Sequence, residues 1–167
     1  MLGRGATASD EPGLDVLAHG LQCGARLRSE YPDDLELAVA GLVHDIADAV
    51  TPDDHRDHDR RGAALVAPLL GARVAKLVGA HVAAKRYLVT TDPGYRATLS
   101  RRSTETLTAQ GDALTRAEIA RLEADPDLAA ILALRRADER AKDPHAQVPD
   151  LASWRPMLRR VAAAGRA

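Results

Sequence analysis

Val43-His44-Asp45-Ile46 sets an imidazole and a carboxylate side by side in a helical stretch that is otherwise apolar, and this pair limits the fold more than any other feature. In apolar surroundings a buried charge is costly unless it is paired or bound to a metal. A histidine-aspartate dipeptide is weak evidence by itself, because a core histidine is more often simply hydrogen-bonded. Four further residues change that balance. His19, His58, His81 and Asp138 each fall in a different expected helix, at separations that no local structure explains. Helical bundles build metal sites this way, from inward side chains on facing helices.

Apolar spacing places those helices. Residues 1–13 are small, polar and Gly-rich and read as a loose arm or lid. Leu14, Leu17, Leu21, Ala25 and Leu27 mark one face of a helix from Leu14 to Glu30. Asp33, with Glu36 three residues on, resembles a capping box for a second helix running to about Val50. A turn at Thr51-Pro52-Asp53-Asp54 leads to a helix over His58–Leu70, which the internal Pro68 ends or kinks. Gly71 separates it from a helix over Ala72–Val89, closed by Thr91-Asp92-Pro93-Gly94. Short helices are expected near 100–109 and 115–124, the latter opened by Thr115 and Glu118. Asp125-Pro126 reads as the start of a longer helix to about Lys142, and an amphipathic segment from Asp150 to Ala163 closes the chain. No alternating β-branched run and no internal repeat is evident, so the expectation is one all-α domain over residues 1–167.

Composition narrows the partners. Lys plus Arg number 23 against 24 Asp plus Glu, which gives no field that would draw nucleic acid or an anionic membrane. With one Trp, three Tyr and no Phe, the core must be Leu, Val, Ile and Ala, and little is left for stacking bases. No apolar run is long enough to span a membrane, and the N-terminus lacks the apolar core of a signal peptide. Cytoplasm is the default location, and nothing in the sequence sets an oligomeric state. Cys23 has no second cysteine to pair with.

In its order of ligands, H, then HD, then D, the chain resembles the HD-domain metalloproteins, and His19, His44-Asp45 and Asp138 take those places. His58 and His81 match the two additional histidines of the two-metal branch. The segments HVAAKRYLVTTDPGY, LSRRSTETLTAQG and LRRADERAKDP are similar to the mixed-valent di-iron oxygenases that cleave hydroxyphosphonates, over about Ala18 to Pro144. This resemblance implies an HD-domain helical bundle with Asp45 bridging two irons, Fe(II)/Fe(III). His19, His44 and Asp138 would complete one ion, and His58 and His81 the other. It implies a small anionic or zwitterionic organophosphonate and O2 as reactants, C–P cleavage with release of phosphate, and no catalytic side chain beyond the ligands. Lys85, Ser103, Thr106 and Arg135 would hold the phosphonate. Helical spacing adds support, since Lys85 lies four residues after His81 and Arg135 three before Asp138.

The chain departs from that group at Asp48, where a histidine is usual; an acid facing the site would select a substrate with a cationic group. No tyrosine precedes His19, so only Asp10 or Glu11 could supply an upstream acid for a lid. The same ligands suit a phosphohydrolase acting on a phosphate ester or nucleotide, with manganese, nickel or zinc in place of iron. A non-catalytic metal- or anion-binding protein is a third alternative. His55 is an alternative ligand to His58 and otherwise a solvated loop residue. Cys23 reads as a small buried hydrophobe, His145 as surface, and Arg101-Arg102 and Arg159-Arg160 as solvated faces. Lys85 and Arg135 as structural ion-pair partners is the competing interpretation of those two.

Overall fold

The computed structural model describes residues 9–11, 14–51 and 57–166. The rest of the expected arm or lid, the turn after Thr51, and His55 lie outside the described residues. Among the described residues eight α-helices follow one another: α1 (Val16–Glu30), α2 (Leu35–Val43), α3 (His58–Leu70), α4 (Ala72–Thr91), α5 (Arg101–Ala109), α6 (Arg116–Glu123), α7 (Leu128–Arg140) and α8 (Arg155–Ala164). Ahead of them β1 (Ser9–Glu11) pairs antiparallel with β2 (Leu14–Asp15), so the expectation of no strand is corrected by one short ladder. Asp10 and Glu11 lie on β1. Both strands are too short to show alternation. The fold is an all-α bundle, and among the described residues no helix is long and apolar enough to cross a membrane.

The helix starts follow from local capping. Asp15 accepts from Ala18 N and opens α1, so that helix begins two residues later than Leu14. Asp34, not Asp33, caps α2 through Leu37 N, and the expected Asp33–Glu36 box is absent. Asp125 does not start α7. Its carboxylate accepts from Asp127 N and its carbonyl from Leu128 N, making a turn that delays the helix to Leu128. Pro68 neither ends nor breaks α3, which continues to Leu70 and stops at Gly71 with φ 91°.

α1 packs on α2 and α3 on α4, while α7 lies against α1, α2 and α4. Leu27, Leu37, Leu77, Ile131 and Leu134 are fully buried between them, each stabilising by roughly 1.5–3 kcal/mol relative to exposure. The seam between α1 and α2 is lined with glycine. A Cβ at Gly20 would run into the Leu42 carbonyl, and one at Gly41 would meet Leu27 and Cys23. Only glycine permits this approach, and it is the approach that brings His19 of α1 beside His44.

Gly20→Ala must push the two backbones apart. It is expected to lower stability by about 1–3 kcal/mol, the usual cost of overpacking a core. Urea unfolding of the purified variant checks this, and an unchanged midpoint would show that the seam yields freely.

Candidate metal centre and anion pocket

Three of the imidazoles are aimed by backbone carbonyls. Nδ1 of His19 lies 2.8 Å from Ala141 O, that of His44 2.8 Å from Gly41 O, and that of His81 2.6 Å from Val78 O. A carbonyl oxygen only accepts, so Nδ1 carries the hydrogen and the neutral ring presents its Nε2 lone pair. For His44 this bond also explains an unexpected helix end. Gly41 O would accept from Asp45 N in a continued α-helix; here the His44 ring takes it. α2 therefore stops at Val43 rather than near Val50, and tighter turns carry Ile46 N to Val43 O and Asp48 N to Asp45 O. His44 and Asp45 consequently stand just beyond α2, not inside a helix.

The Nε2 atoms converge on Asp45. Its Oδ2 lies 3.7 Å from His19 Nε2 and 3.3 Å from His44 Nε2, whereas its Oδ1 lies 3.6 Å from both His58 Nε2 and His81 Nε2. One carboxylate thus divides four histidines two and two. Asp138 Oδ1 joins the first pair, 3.1 Å from His19 Nε2 and 3.6 Å from His44 Nε2. His19 Nε2 and His44 Nε2 are 3.2 Å apart. With both Nδ1 atoms holding hydrogens, two neutral rings would oppose lone pairs there, and a cation between them removes the conflict. Bonds of about 2.1 Å to a metal separate neighbouring donors by about 3.0 Å in octahedral and 3.4 Å in tetrahedral geometry, so these spacings suit two coordination shells sharing Asp45. Cys23 is wholly buried and its thiol is pushed up to about 12 by burial, which fits the small hydrophobe.

Charge in the cluster is balanced by its own acids. Burial opposes protonation of His44, but Asp45 and Asp138 outweigh it and raise its pKa well above the usual value; His19 is raised against burial chiefly by Asp138. Burial and His58 bring His81 down to about 3, leaving it neutral. Despite burial, His44 holds Asp45, and Arg135 holds Asp138, well below the usual carboxylate range. A metal pair would replace the protons on the first two histidines.

Beside the cluster opens a cavity of about 50 Å³. Lys85, Ser103, Thr106 and Arg135, the four residues expected to hold an anion, all face it, and so does Asp48. Lys85 Nζ donates to Thr106 Oγ1 at 2.8 Å and to Ser103 O at 3.4 Å. Burial and Arg135 lower its pKa to about 7. Arg135 is more committed than the sequence suggests: it donates to Tyr95 Oη at 2.8 Å, to Ser103 Oγ at 3.2 Å, and to the carboxylates of Asp138 and Glu139. Four of its five N–H groups are therefore used inside the protein, and its nearest task is to orient Asp138. Arg102 also lines the cavity, correcting its assignment to a solvated face, while Arg101, His145, Arg159 and Arg160 are exposed as expected. Tyr95, Glu139 and Lys142 were missed. Tyr95 sits in a short 3-10 turn with no periodic signal, but Lys142 lies four residues beyond Asp138, the spacing that singled out Lys85.

An HD domain matches residues 14–152. The chain belongs to the HD domain family. Among its relatives is the 1-hydroxy-2-(trimethylamino)ethylphosphonate dioxygenase (glycine-betaine-forming) of Leisingera caerulea, 34% identical over 156 residues, covering 89% of this chain and 79% of the relative. The hydroxymethylphosphonate dioxygenase of Gimesia maris is 35% identical over 148 residues, covering 83% and 73%. A mimivirus protein of uncharacterised role is 29% identical over 130 residues, covering 71% and 58%. In this HD domain the residues of the order His, His-Asp, Asp are brought together from α1, the turn after α2, and α7.

If Asp45 serves both shells, Asp45→Ala should lose two metal ions together, whereas His81→Ala should keep one. Metal analysis of the two purified variants against a wild type holding two ions per chain tests this; equal losses would remove Asp45 from the bridging role.

Proposed function

We propose that this chain is a metal-dependent dioxygenase that cleaves the C–P bond of a small hydroxylated organophosphonate and releases phosphate. The observation that carries this reading is the union, in one small cavity, of a carboxylate shared between two histidine pairs, a donor set that could hold metal, and a set of cations and hydroxyls suited to an acidic group. The names of the two curated relatives support it. Binding pockets commonly measure about 300–1,000 Å³; a cavity of about 50 Å³ favours a few-carbon substrate over a nucleotide.

The reaction balances with dioxygen as the sole oxidant. R–CH(OH)–PO3²⁻ and O2 give R–COO⁻, HPO4²⁻ and H⁺, with the C–P and C–H bonds broken and four electrons passed from carbon to oxygen. Two irons, bound by His19, His44, Asp45, His58, His81 and Asp138, would supply the oxygen activation and the redox equivalents. The chain's own side chains would do the positioning. Lys85 and the Ser103 and Thr106 hydroxyls would bind phosphonate oxygens, and Arg135 would keep Asp138 turned to its histidines. Asp48, buried on the turn after α2, would favour a substrate whose second substituent is an amine or trimethylammonium.

Oxygen uptake matched by phosphate release from the trimethylammonium-bearing hydroxyphosphonate is the expected result with iron-loaded protein. Asp48→Asn should narrow its preference over hydroxymethylphosphonate by roughly the factor of ten that follows from about 1.4 kcal/mol. Phosphate release from nucleotides without oxygen uptake would replace this reading with a phosphohydrolase, and metal-dependent binding without turnover with a non-catalytic protein.

Lys85 adds a pH signature. Its lowered pKa means that the free protein charges it only below about 7; raising the pH through that value withdraws a proton the anion needs. The ratio of wild-type to Lys85→Met affinity for a phosphonate should therefore shrink as pH rises from about 6 to about 9. A constant ratio across a titration series would show that Lys85 does not meet the anion as a cation.

A further inference from the structure

The α5–α7 side of the cavity holds a cation that neither the ligand pattern nor the relatives' names assign. Lys142 lies two residues past the end of α7, and its side chain is only 15% exposed. Its ammonium donates to Ser100 Oγ at 2.8 Å, to Ser103 Oγ at 2.9 Å and to Glu139 Oε1 at 3.2 Å. It lines the same cavity as Lys85 and Arg135. Ser103 is the shared support: its hydroxyl receives Lys142 and Arg135, and its carbonyl receives Lys85.

Glu139 keeps that arrangement in place. Its carboxylate accepts from Ser100 N at 2.7 Å and from Ser103 Oγ at 2.8 Å, and also binds Arg135 and Lys142. Burial opposes its charge, yet Arg135 and Lys142 hold its pKa below the usual value. A buried carboxylate thus spans the start of α5 and the end of α7, fixing an ammonium that would otherwise lose rotamer freedom on binding a ligand. The three N–H groups of Lys142 and four of the five of Arg135 are taken up inside the protein; the lysine, a compact charge on a flexible stem, can exchange a serine hydroxyl for an anion oxygen without breaking a planar fork.

We infer that Lys142 is a third cationic arm of the anion pocket, contacting an oxygen of a doubly charged acidic group, and that Glu139 is the residue that positions it. The inference rests on the phosphonate reading above and adds a specificity determinant to it: dianions are preferred over monoanions of the same size.

Calorimetric titration of the full chain, loaded anaerobically with iron, tests it with two non-reacting probes, methylphosphonate and its O-methyl monoester. Lys142→Met should weaken methylphosphonate binding about tenfold or more, as loss of a hydrogen bond from a charged donor does. It should weaken the monoester far less and leave metal content intact. Lys142→Gln keeps two N–H donors, enough for two of the three partners, while removing the charge, so it should fold even where Lys142→Met does not and lose the same dianion preference. Equal losses for the two probes, or a fall in melting temperature with unchanged probe affinity, would overturn the inference and leave Lys142 a structural ion-pair partner. A wild type that takes up two irons yet binds neither probe would overturn the phosphonate reading itself, an outcome distinct from failure of Lys142 alone.

Discussion

Asp45 stands between two pairs of imidazoles, and the rest of the structure is arranged around the need to satisfy that one carboxylate. An ionised acid among buried rings is tolerable only with close positive charge. Its neighbours come from α1, the end of α2, the first residue of α3, and α4, so burying Asp45 correctly requires those elements to meet at one point. The aliphatic core supplies the driving force for helix packing but little direction, since Leu, Val and Ala can pack in many registers. The polar cluster supplies the register.

Backbone features do much of that work. The His44 ring takes the Gly41 carbonyl and stops α2; the ensuing tight turns place Asp45 and Asp48 along the cavity without a further helical turn between them. The glycine seam lets α1 approach, and the Ala141 carbonyl at the end of α7 receives His19. That last bond joins residues 122 positions apart. It ties the site to α7, where Asp138 and Arg135 also sit.

Much of this was legible in the sequence because a polar residue in an apolar helix must be explained. His19, His81 and Asp138 lie within helices close to the expected bounds, and the i, i+4 relation of Lys85 to His81 correctly put both at one cavity. What was not legible depended on competition for single backbone groups. Nothing in the apolar spacing of 35–50 says that the His44 ring outcompetes Asp45 N for Gly41 O. Asp33, Asp34 and Asp125 are all plausible caps, and only the position of Arg73, which binds Asp34 and Asp127, and of Lys76, which binds Asp125, separates them. Gly20 and Gly24, four apart on α1, were a readable sign of close helix approach.

The ligand set by itself does not choose between oxygen and hydrolytic chemistry, because histidines and carboxylates accept several metals. Selection falls to the layer beyond it. α5 contributes no ligand, yet Ser103 and Thr106 take up Lys85, Ser103 takes up Arg135, and the backbone N–H of Ser100 is fixed by Glu139 of α7. Asp48 enters the cavity from the turn after α2, a different part of the fold. A ligand in so small a space must satisfy the cations of α4, α5 and α7 and the acid of that turn at once. Under the proposed reading, side chains that are not themselves ligands would therefore decide which end of a zwitterion faces which wall.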